Sequence, residues 1–301
     1  MTGPPKPHRL RRYWTLYKQS DHWLGDLSDG HEGLSDSTRL QRTGLIQSLL
    51  PDNWREAAVL TRKVIKAEMK ARTPSQAGNL LSALRGMIRW MIDGGHLDES
   101  GKAKASRESG GFVPWTEYDM ALYRTKWPLG TEARLMFDIL HYTFLRLGDA
   151  HRFGPPHLRQ IVRKMAVQIA TEKSRGNTTV MVPAHPEFAE SLRAARAAGI
   201  IGADVFTGKM VKGRVLPMDK KAWAAKFKKY AVLAGVNEPK KCCHGVRKAR
   251  AEVAAYADCT ESQTMAMFGW TDPKMPAHCI AQADGESGVV TLRSNFGKKT
   301  S

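Results

Sequence analysis

Residues 244–256 read His-Gly-Val-Arg-Lys-Ala-Arg-Ala-Glu-Val-Ala-Ala-Tyr. The stretch is predicted to be a helix over His244–Tyr256. On it His244 and Arg247 stand three residues apart and share one face, so both can point at a single anionic group. Taken alone, such a pair is common on protein surfaces. Its surroundings give it weight: from Lys220 to Arg250 the chain carries ten basic residues and one acidic residue, Glu238. A charge run is ordinarily a solvated face, but this one holds the chain's strongest motif.

The whole chain shares this bias. Its 301 residues include 47 Lys+Arg against 29 Asp+Glu, a net charge of +18, and the pI is near 9.9. A surplus of that size attracts polyanions. It argues against an acidic scaffold and against an enzyme of neutral metabolites. The length suffices for two domains of ordinary size. Mean hydropathy is −0.42, and no apolar run approaches the roughly 20 residues of a membrane span. The start, Met-Thr-Gly-Pro-Pro-Lys-Pro-His-Arg, is basic but has no apolar core behind it, so no secretory signal is expected. Four cysteines, Cys242, Cys243, Cys259 and Cys279, are too few and too clustered for a disulfide framework. Together with His244 and His278 they match no common zinc spacing. The expectation is a reduced, cytoplasmic setting with no metal or other cofactor.

Read for organisation, residues 1–30 form a basic arm in which Arg9, Arg11, Arg12 and Lys18 alternate with Trp14 and Tyr17. The arm is read as solvated, or as touching nucleic-acid phosphates. Residues 31–99 read as all-helical. Ser35-Asp36-Ser37-Thr38 offers helix caps, Pro51-Asp52-Asn53 breaks the first stretch, and a second helix is predicted over Trp54–Ala71. Thr73-Pro74-Ser75 breaks again before Leu80, Leu84, Met87, Ile88 and Met91 recur at helical spacing. Arg62, Lys63, Lys66, Lys70 and Arg72, and on the third helix Arg85 and Arg89, are placed on polar faces able to lie on DNA. Residues 100–113, rich in Gly, Ser and Lys, read as a linker.

Residues 114–301 read as mixed, with a catalytic domain over 114–284 and a tail over 285–301. Glu132–Tyr142 is predicted to be a buried helix. Met165–Ala170 and Thr178–Val182 read as strands joined by a hairpin with a Gly-Asn turn signal. Helices are predicted over Pro186–Ala198, Lys220–Leu233 and Ser262–Phe268.

Three further segments complete the pattern: Thr143-Phe144-Leu145-Arg146-Leu147-Gly148-Asp149-Ala150, the hairpin with Lys173 and Arg175, and Phe268-Gly269-Trp270-Thr271-Asp272-Pro273. On these residues the chain from about 31 to about 284 resembles the tyrosine recombinases, the phage-type integrases. The resemblance implies that Arg146 is the first catalytic arginine, with Asp149 as its acidic neighbour. Lys173 is then the lysine of the β-hairpin, His244 and Arg247 the HxxR pair, and Trp270 the residue that is His or Trp in the family. It implies a fold that is mainly α with a small β-sheet: a helical core-binding domain joined to a mixed α/β catalytic domain in a C-shaped clamp around duplex DNA. It further implies a homo-tetramer on synapsed sites, help from a DNA-bending or directionality factor, and integration or excision of a mobile element without a high-energy cofactor.

The chemistry suits these residues. Cleaving a phosphodiester builds negative charge on its non-bridging oxygens, and two guanidiniums can clamp those oxygens without a metal. A hairpin lysine can protonate the leaving 5′ oxygen. His244 can hydrogen-bond the phosphate, and Trp270 offers one N–H and bulk.

One position departs from the family pattern. The nucleophilic tyrosine is expected where Cys279 stands, nine residues after Trp270, and no tyrosine follows Tyr256. Nearby cations lower a thiol pKa. A tyrosine hydroxyl, however, reaches about 4 Å further from Cα than a cysteine sulfur, and a misplacement of ~1 Å can cost on the order of 10²-fold in rate. The expectation is a preserved phosphate pocket with impaired strand cleavage. A non-catalytic DNA-binding relative of the recombinases is the alternative.

Overall fold

A computed structural model describes residues 10–26, 28, 32–49, 62–96, 112–161, 163–256 and 259–276. The chain divides into two compact units, Met1–Gly110 and Gly111–Ser301.

In the first unit the helices are α1 (Leu10–Tyr17), α2 (Asp21–Leu24), α3 (Asp36–Gln47), α4 (Arg62–Lys70) and α5 (Pro74–Asp93). Ser35 caps α3 through its side chain, which accepts the Thr38 N–H. Thr73 and Gln76 form a reciprocal capping box on α5, with Pro74 at its first position, where a missing N–H costs nothing. Gly94 closes α5. The apolar stripe of α5, from Leu80 through Leu84 and Met87 to Met91, is buried.

The solvated-arm reading does not hold for residues 10–24. Leu10, Tyr13, Trp14 and Tyr17 follow an i, i+3, i+4, i+7 pattern and are buried in the same core as α5. Trp14 meets Trp23 edge to face at 5.1 Å. The arginines of this segment ride on the opposite face, Arg11 and Arg12 being exposed. Residues 1–9, 50–61 and 97–111 lie outside the described residues, as do the Pro51 break, the start of the Trp54 helix and most of the expected linker.

The second unit contains α6 (Glu117–Lys126), α7 (Glu132–Thr143), α8 (Leu147–Ala150), β1 (Leu158–Ile161), β2 (Lys164–Ala170), β3 (Thr179–Pro183), α9 (Pro186–Ala197), β4 (Lys209–Val211), β5 (Arg214–Leu216), α10 (Lys220–Leu233), α11 (Cys243–Tyr256) and α12 (Glu261–Phe268). Sequence periodicity missed α6, β1 and the β4–β5 pair. The three-stranded sheet is antiparallel in the order β1-β2-β3, with Leu158 opposite Val167 and Ile169 opposite Val180. Val167, Ile169, Val180 and Val182 turn one sheet face into the core. The core centres on α7, buried along almost its whole length. Tyr123 stacks on Phe137 at 5.2 Å and donates its hydroxyl to the Ala133 carbonyl at 3.0 Å.

Residues 112 and 113, read as the end of a linker, instead pack along the start of α11. The backbone N–H of Trp115 donates to the Gly245 carbonyl at 3.2 Å. A side chain at Gly245 would meet the Val113 carbonyl at 2.3 Å. Gly245 is thus required by close backbone approach.

The basic run from Lys220 to Arg250 is only partly a solvated face. Lys226 pairs with Glu132, and Lys241, almost fully buried, pairs with Asp119 at 2.8 Å and with Glu238 at 2.8 Å. These cations fasten α10 to α7 and the α11 approach to the start of α6. Among the described residues no helix is long and apolar enough to cross a membrane.

Candidate active site

Four elements meet where the sequence motifs converge. Arg146 is the N-cap residue of α8, in extended backbone just after the end of α7. Lys173 lies in a 3-10 turn, Glu172–Ser174, between β2 and β3. His244 and Arg247 lie on the first turn of α11, and Trp270 follows Gly269, which ends α12 in a left-handed conformation at φ 56°. Arg146, Lys173 and Trp270 line one cleft of about 220 Å³ together with Thr171, Ser174, Thr178, Gly269, Thr271 and Asp272.

The two arginines are held by backbone carbonyls. Arg146 donates Nη1 to the Gly269 carbonyl at 3.1 Å. Arg247, buried, donates Nη2 to the adjacent Phe268 carbonyl at 2.6 Å and Nη1 to the Phe144 carbonyl. The last carbonyls of a helix carry its partial negative charge and have no intrahelical partner. The ends of α7 and α12 are therefore natural seats for guanidiniums. Phe144, at φ 55°, turns the end of α7 so that its carbonyl can accept Arg247. The Phe144, Phe268 and Trp270 rings stack in succession at 5.0 and 4.8 Å, and the Arg247 guanidinium lies over the last two rings at 5.1 and 6.0 Å.

His244 is exposed overall, with its ring against Phe112 at 5.1 Å. Desolvation of the ring lowers its pKa, and the charges of Arg247, Arg146, Lys248 and Lys173 push it the same way. That four cations bear on this imidazole joins His244 and Arg247 electrostatically to the residues lining the cleft. At neutral pH the ring is a neutral donor and acceptor. Burial likewise lowers the Arg146 pKa, opposed by Asp149; a guanidinium keeps its charge regardless.

Asp149, expected as the acidic neighbour of Arg146, bears on it through its charge. Its buried carboxylate does not take Arg146 as a hydrogen-bond partner. It accepts Arg152 Nη2 at 2.8 Å and the backbone N–H of Glu172 at 2.8 Å. It acts on Arg146 through space and holds the Lys173 turn directly. That turn is tied elsewhere too: Glu172 pairs with Lys220 at 2.7 Å, and Thr171 Oγ1 meets Ser174 Oγ at 2.7 Å. The chain reverses at Arg175 and Gly176, both at positive φ, so Gly176 of the Gly-Asn pair read from the sequence takes part in the turn, one residue earlier than the pair itself.

Of the residues assigned to DNA contact, Lys63 and Lys66 are exposed on α4. Arg85 and Arg89 are exposed one turn apart on α5 and line, with Arg42, a groove of about 650 Å³ in the first unit. Arg175 is exposed beside Lys173. The side chains of Arg62 and Tyr256, and all of His278 and Cys279, lie outside the described residues. Cys243 is buried, which pushes its thiol up to about 12, and among the described residues no three His, Cys, Asp or Glu side chains gather to hold a metal. Sequence reasoning missed the Phe144, Phe268 and Gly269 carbonyls, Arg152, and the Glu172–Lys220 pair.

Chemically, the cleft offers one guanidinium, an ammonium and an indole around one small polar space, with a second guanidinium over the indole ring and a neutral imidazole within electrostatic reach. That set can bind an oxyanion, stabilise added negative charge on it and deliver a proton.

No family profile and no curated protein matches the sequence. Solved structures do match. A lambda integrase tetramer bound to a Holliday junction superposes with a TM-score of 0.71 at 15% identity, over 97% of this chain and 85% of that one. The Tn1549 transposon integrase in complex with a circular intermediate DNA gives 0.68 at 14% identity over 91% of this chain and 98% of that one. The XerH site-specific recombinase in its post-cleavage complex gives 0.60 at 12% identity over 83% and 76%. The chain therefore has the integrase fold: mainly helical, with a small antiparallel sheet beside the cleft. At these identities the likeness is one of fold.

Proposed function

We propose that this chain is a site-specific DNA recombinase of the tyrosine recombinase type. In this reading residues 114–284 do the chemistry, residues 31–99 grip the duplex, and copies of the chain assemble as a homo-tetramer on paired sites of a mobile element. The observation that carries the proposal is the convergence of Arg146, Lys173 and Trp270 on one cleft, with Arg247 over the Trp270 ring and His244 within electrostatic reach of Arg146 and Lys173. Five side chains from four separate segments of the chain supply the donors that a phosphodiester in transit to a pentavalent state requires. Arg146 and Arg247 bind the non-bridging oxygens. His244, neutral, hydrogen-bonds the same phosphate. The nucleophile at position 279 gives up its proton to the neutral imidazole of His244 and bonds to phosphorus as the bond to the 5′ oxygen breaks, and that oxygen takes a proton from Lys173. The product is a 3′-phosphoprotein and a free 5′ hydroxyl, and the reverse step rejoins DNA.

Cys279 favours a second reading, in which the chain binds recombination sites without cutting them. Both readings meet one experiment. The protein and its Cys279→Tyr variant are incubated with a library of nicked duplexes, and SDS-resistant protein–DNA adducts are collected and sequenced. An adduct from the Cys279→Tyr variant alone identifies a recombinase disabled at its nucleophile. An adduct from both identifies an active enzyme. Duplex binding with no adduct from either form leaves the non-catalytic reading, and no binding overturns both.

A further inference from the structure

The β4–β5 hairpin is claimed by neither the core nor the cleft. Its strands are three residues each, paired only with one another: Lys209 opposite Leu216, Met210 opposite Val215, Val211 opposite Arg214. From Val205 to Met218 the chain contains no acidic residue. Lys209, Lys212 and Arg214 are exposed and have no ion pair among the described residues, whereas Lys220, Lys226 and Lys241 nearby are all paired. Met210 and Leu216 are also exposed, at 52% and 42%. At the tip stand Lys212 at φ 45° and Gly213 at φ 74°. A turn with two left-handed residues matches hairpin twist and favours Asn-Gly. Lysine in the first place gives up backbone comfort and sets a charge at the point furthest out.

The hairpin is firmly based. A side chain at Gly208 would meet the Leu216 carbonyl at 2.0 Å, so the strands close tightly where they leave the body of the unit. Lys226 donates to the Gly208 carbonyl at 3.0 Å, and the Trp223 indole donates to Thr207 Oγ1 at 2.8 Å. Its exit leads through Met218, whose carbonyl lies 3.2 Å from His151 Nδ1, to Lys220, which pairs with Glu172 beside Lys173. Four residues span at most about 14 Å, so the base of the hairpin at Leu216 lies within that reach of Lys220, whose ammonium is tied to the turn that carries Lys173.

We infer that the β4–β5 hairpin is a second DNA contact, its Lys209, Lys212 and Arg214 binding backbone phosphates of the duplex within one turn of the phosphate held in the cleft. A two-stranded ribbon fits a DNA groove, and the exposed methionine and leucine give it apolar edges to set against sugars or bases. This rests on the recombinase reading for its ligand and concerns binding alone.

The test measures affinity for a mixed-sequence duplex of about 30 base pairs, three turns, from about 0.05 to 0.2 M salt. The variants are a Lys209→Gln, Lys212→Gln, Arg214→Gln triple and a control triple, Arg193→Gln, Arg196→Gln, Lys229→Gln. The control removes equal charge from exposed positions elsewhere in the unit. Each phosphate contact contributes about 0.9 to the slope of log affinity against log salt. The hairpin triple is therefore expected to flatten that slope by about 2 to 3 and to weaken binding at least about tenfold. The control should change the slope by less than about 1. Thermal unfolding of both triples verifies the fold, and Lys212→Gln alone, at the turn tip, should lower the slope by about 1. Equal losses in both triples, or an unchanged slope in the hairpin triple, overturn the hairpin contact while leaving the recombinase reading intact. A wild-type chain that ignores duplex DNA overturns that reading, and the hairpin contact with it.

Discussion

Arg247 does two jobs with one guanidinium. It closes the carbonyls of Phe144 and Phe268, and it lies over the ring of Trp270, which lines the cleft. A lysine cannot satisfy both carbonyls with the same geometry. Arg247→Lys is expected to lower unfolding free energy by about 1–3 kcal/mol, read from denaturant midpoints, as well as to weaken phosphate binding. Lys173, exposed on its turn, is the opposite case. Lys173→Ala should leave stability within about 0.5 kcal/mol while abolishing adduct formation by any variant that shows it. Gly269 is more demanding than either. Its φ is left-handed, and an added Cβ would meet Val180 Cγ2 at 2.6 Å. Gly269→Ala should cost about 1–3 kcal/mol and disturb Arg146, which depends on the carbonyl of this residue; a thermal melt and a duplex-binding isotherm check both effects.

Among the elements, α7 carries the sharpest pH response. His141, on its inner face, is 5% exposed and hydrogen-bonded through Nε2 to Arg124. Burial, followed by the charges of Arg250 and Arg124, lowers its pKa to about 2. In the unfolded chain it titrates near 6.5. Below that pH the unfolded state takes a proton that the folded state refuses. Its contribution is therefore intact above about pH 6.5 and drains away as the pH falls, by about 2 kcal/mol at pH 5. Urea midpoints at about pH 7 and pH 5 should differ accordingly, and His141→Gln, which keeps an acceptor for Arg124, should flatten the difference. The element scale is also where the sequence was most and least legible. α3 and α5 announce themselves through capping side chains and an unbroken apolar stripe. α1 shows the same stripe, but arginines fill the positions between, and composition outweighed periodicity. β1 has no alternation to read, since three of its four residues are exposed, and strands as short as β4 and β5 offer too few positions for any period. The five motif side chains were legible because their chemistry is specific to side-chain type. Their carbonyl partners were not, because every residue has a carbonyl.

Across the whole molecule, a surplus of 18 positive charges must find a counterpart. If duplex DNA is that counterpart, it binds the folded chain in preference to the unfolded one. DNA at about 100 times its dissociation constant should then raise unfolding free energy by about 2.7 kcal/mol, and the gain should vanish with added salt. Calorimetry with and without duplex at two ionic strengths checks this. Not all of the surplus is available for binding. Lys226 and Lys241 are committed to internal partners, and Lys241→Met, which strands the Asp119 carboxylate, should cost about 3 kcal/mol with little change in the salt dependence of DNA binding. Net charge thus overstates the binding surface, and pairing tells the two populations apart.

The seating of Arg146 and Arg247 on neighbouring carbonyls has a mechanical corollary. The chain at Phe268 and Gly269 is moored by these two guanidiniums, Arg146 lining the cleft and Arg247 lying over the Trp270 ring. In the proposed complex, a phosphate in the cleft would draw on a guanidinium, Arg146, that already holds the Gly269 carbonyl. Binding in the cleft and the seating of Trp270 would thus share a tether.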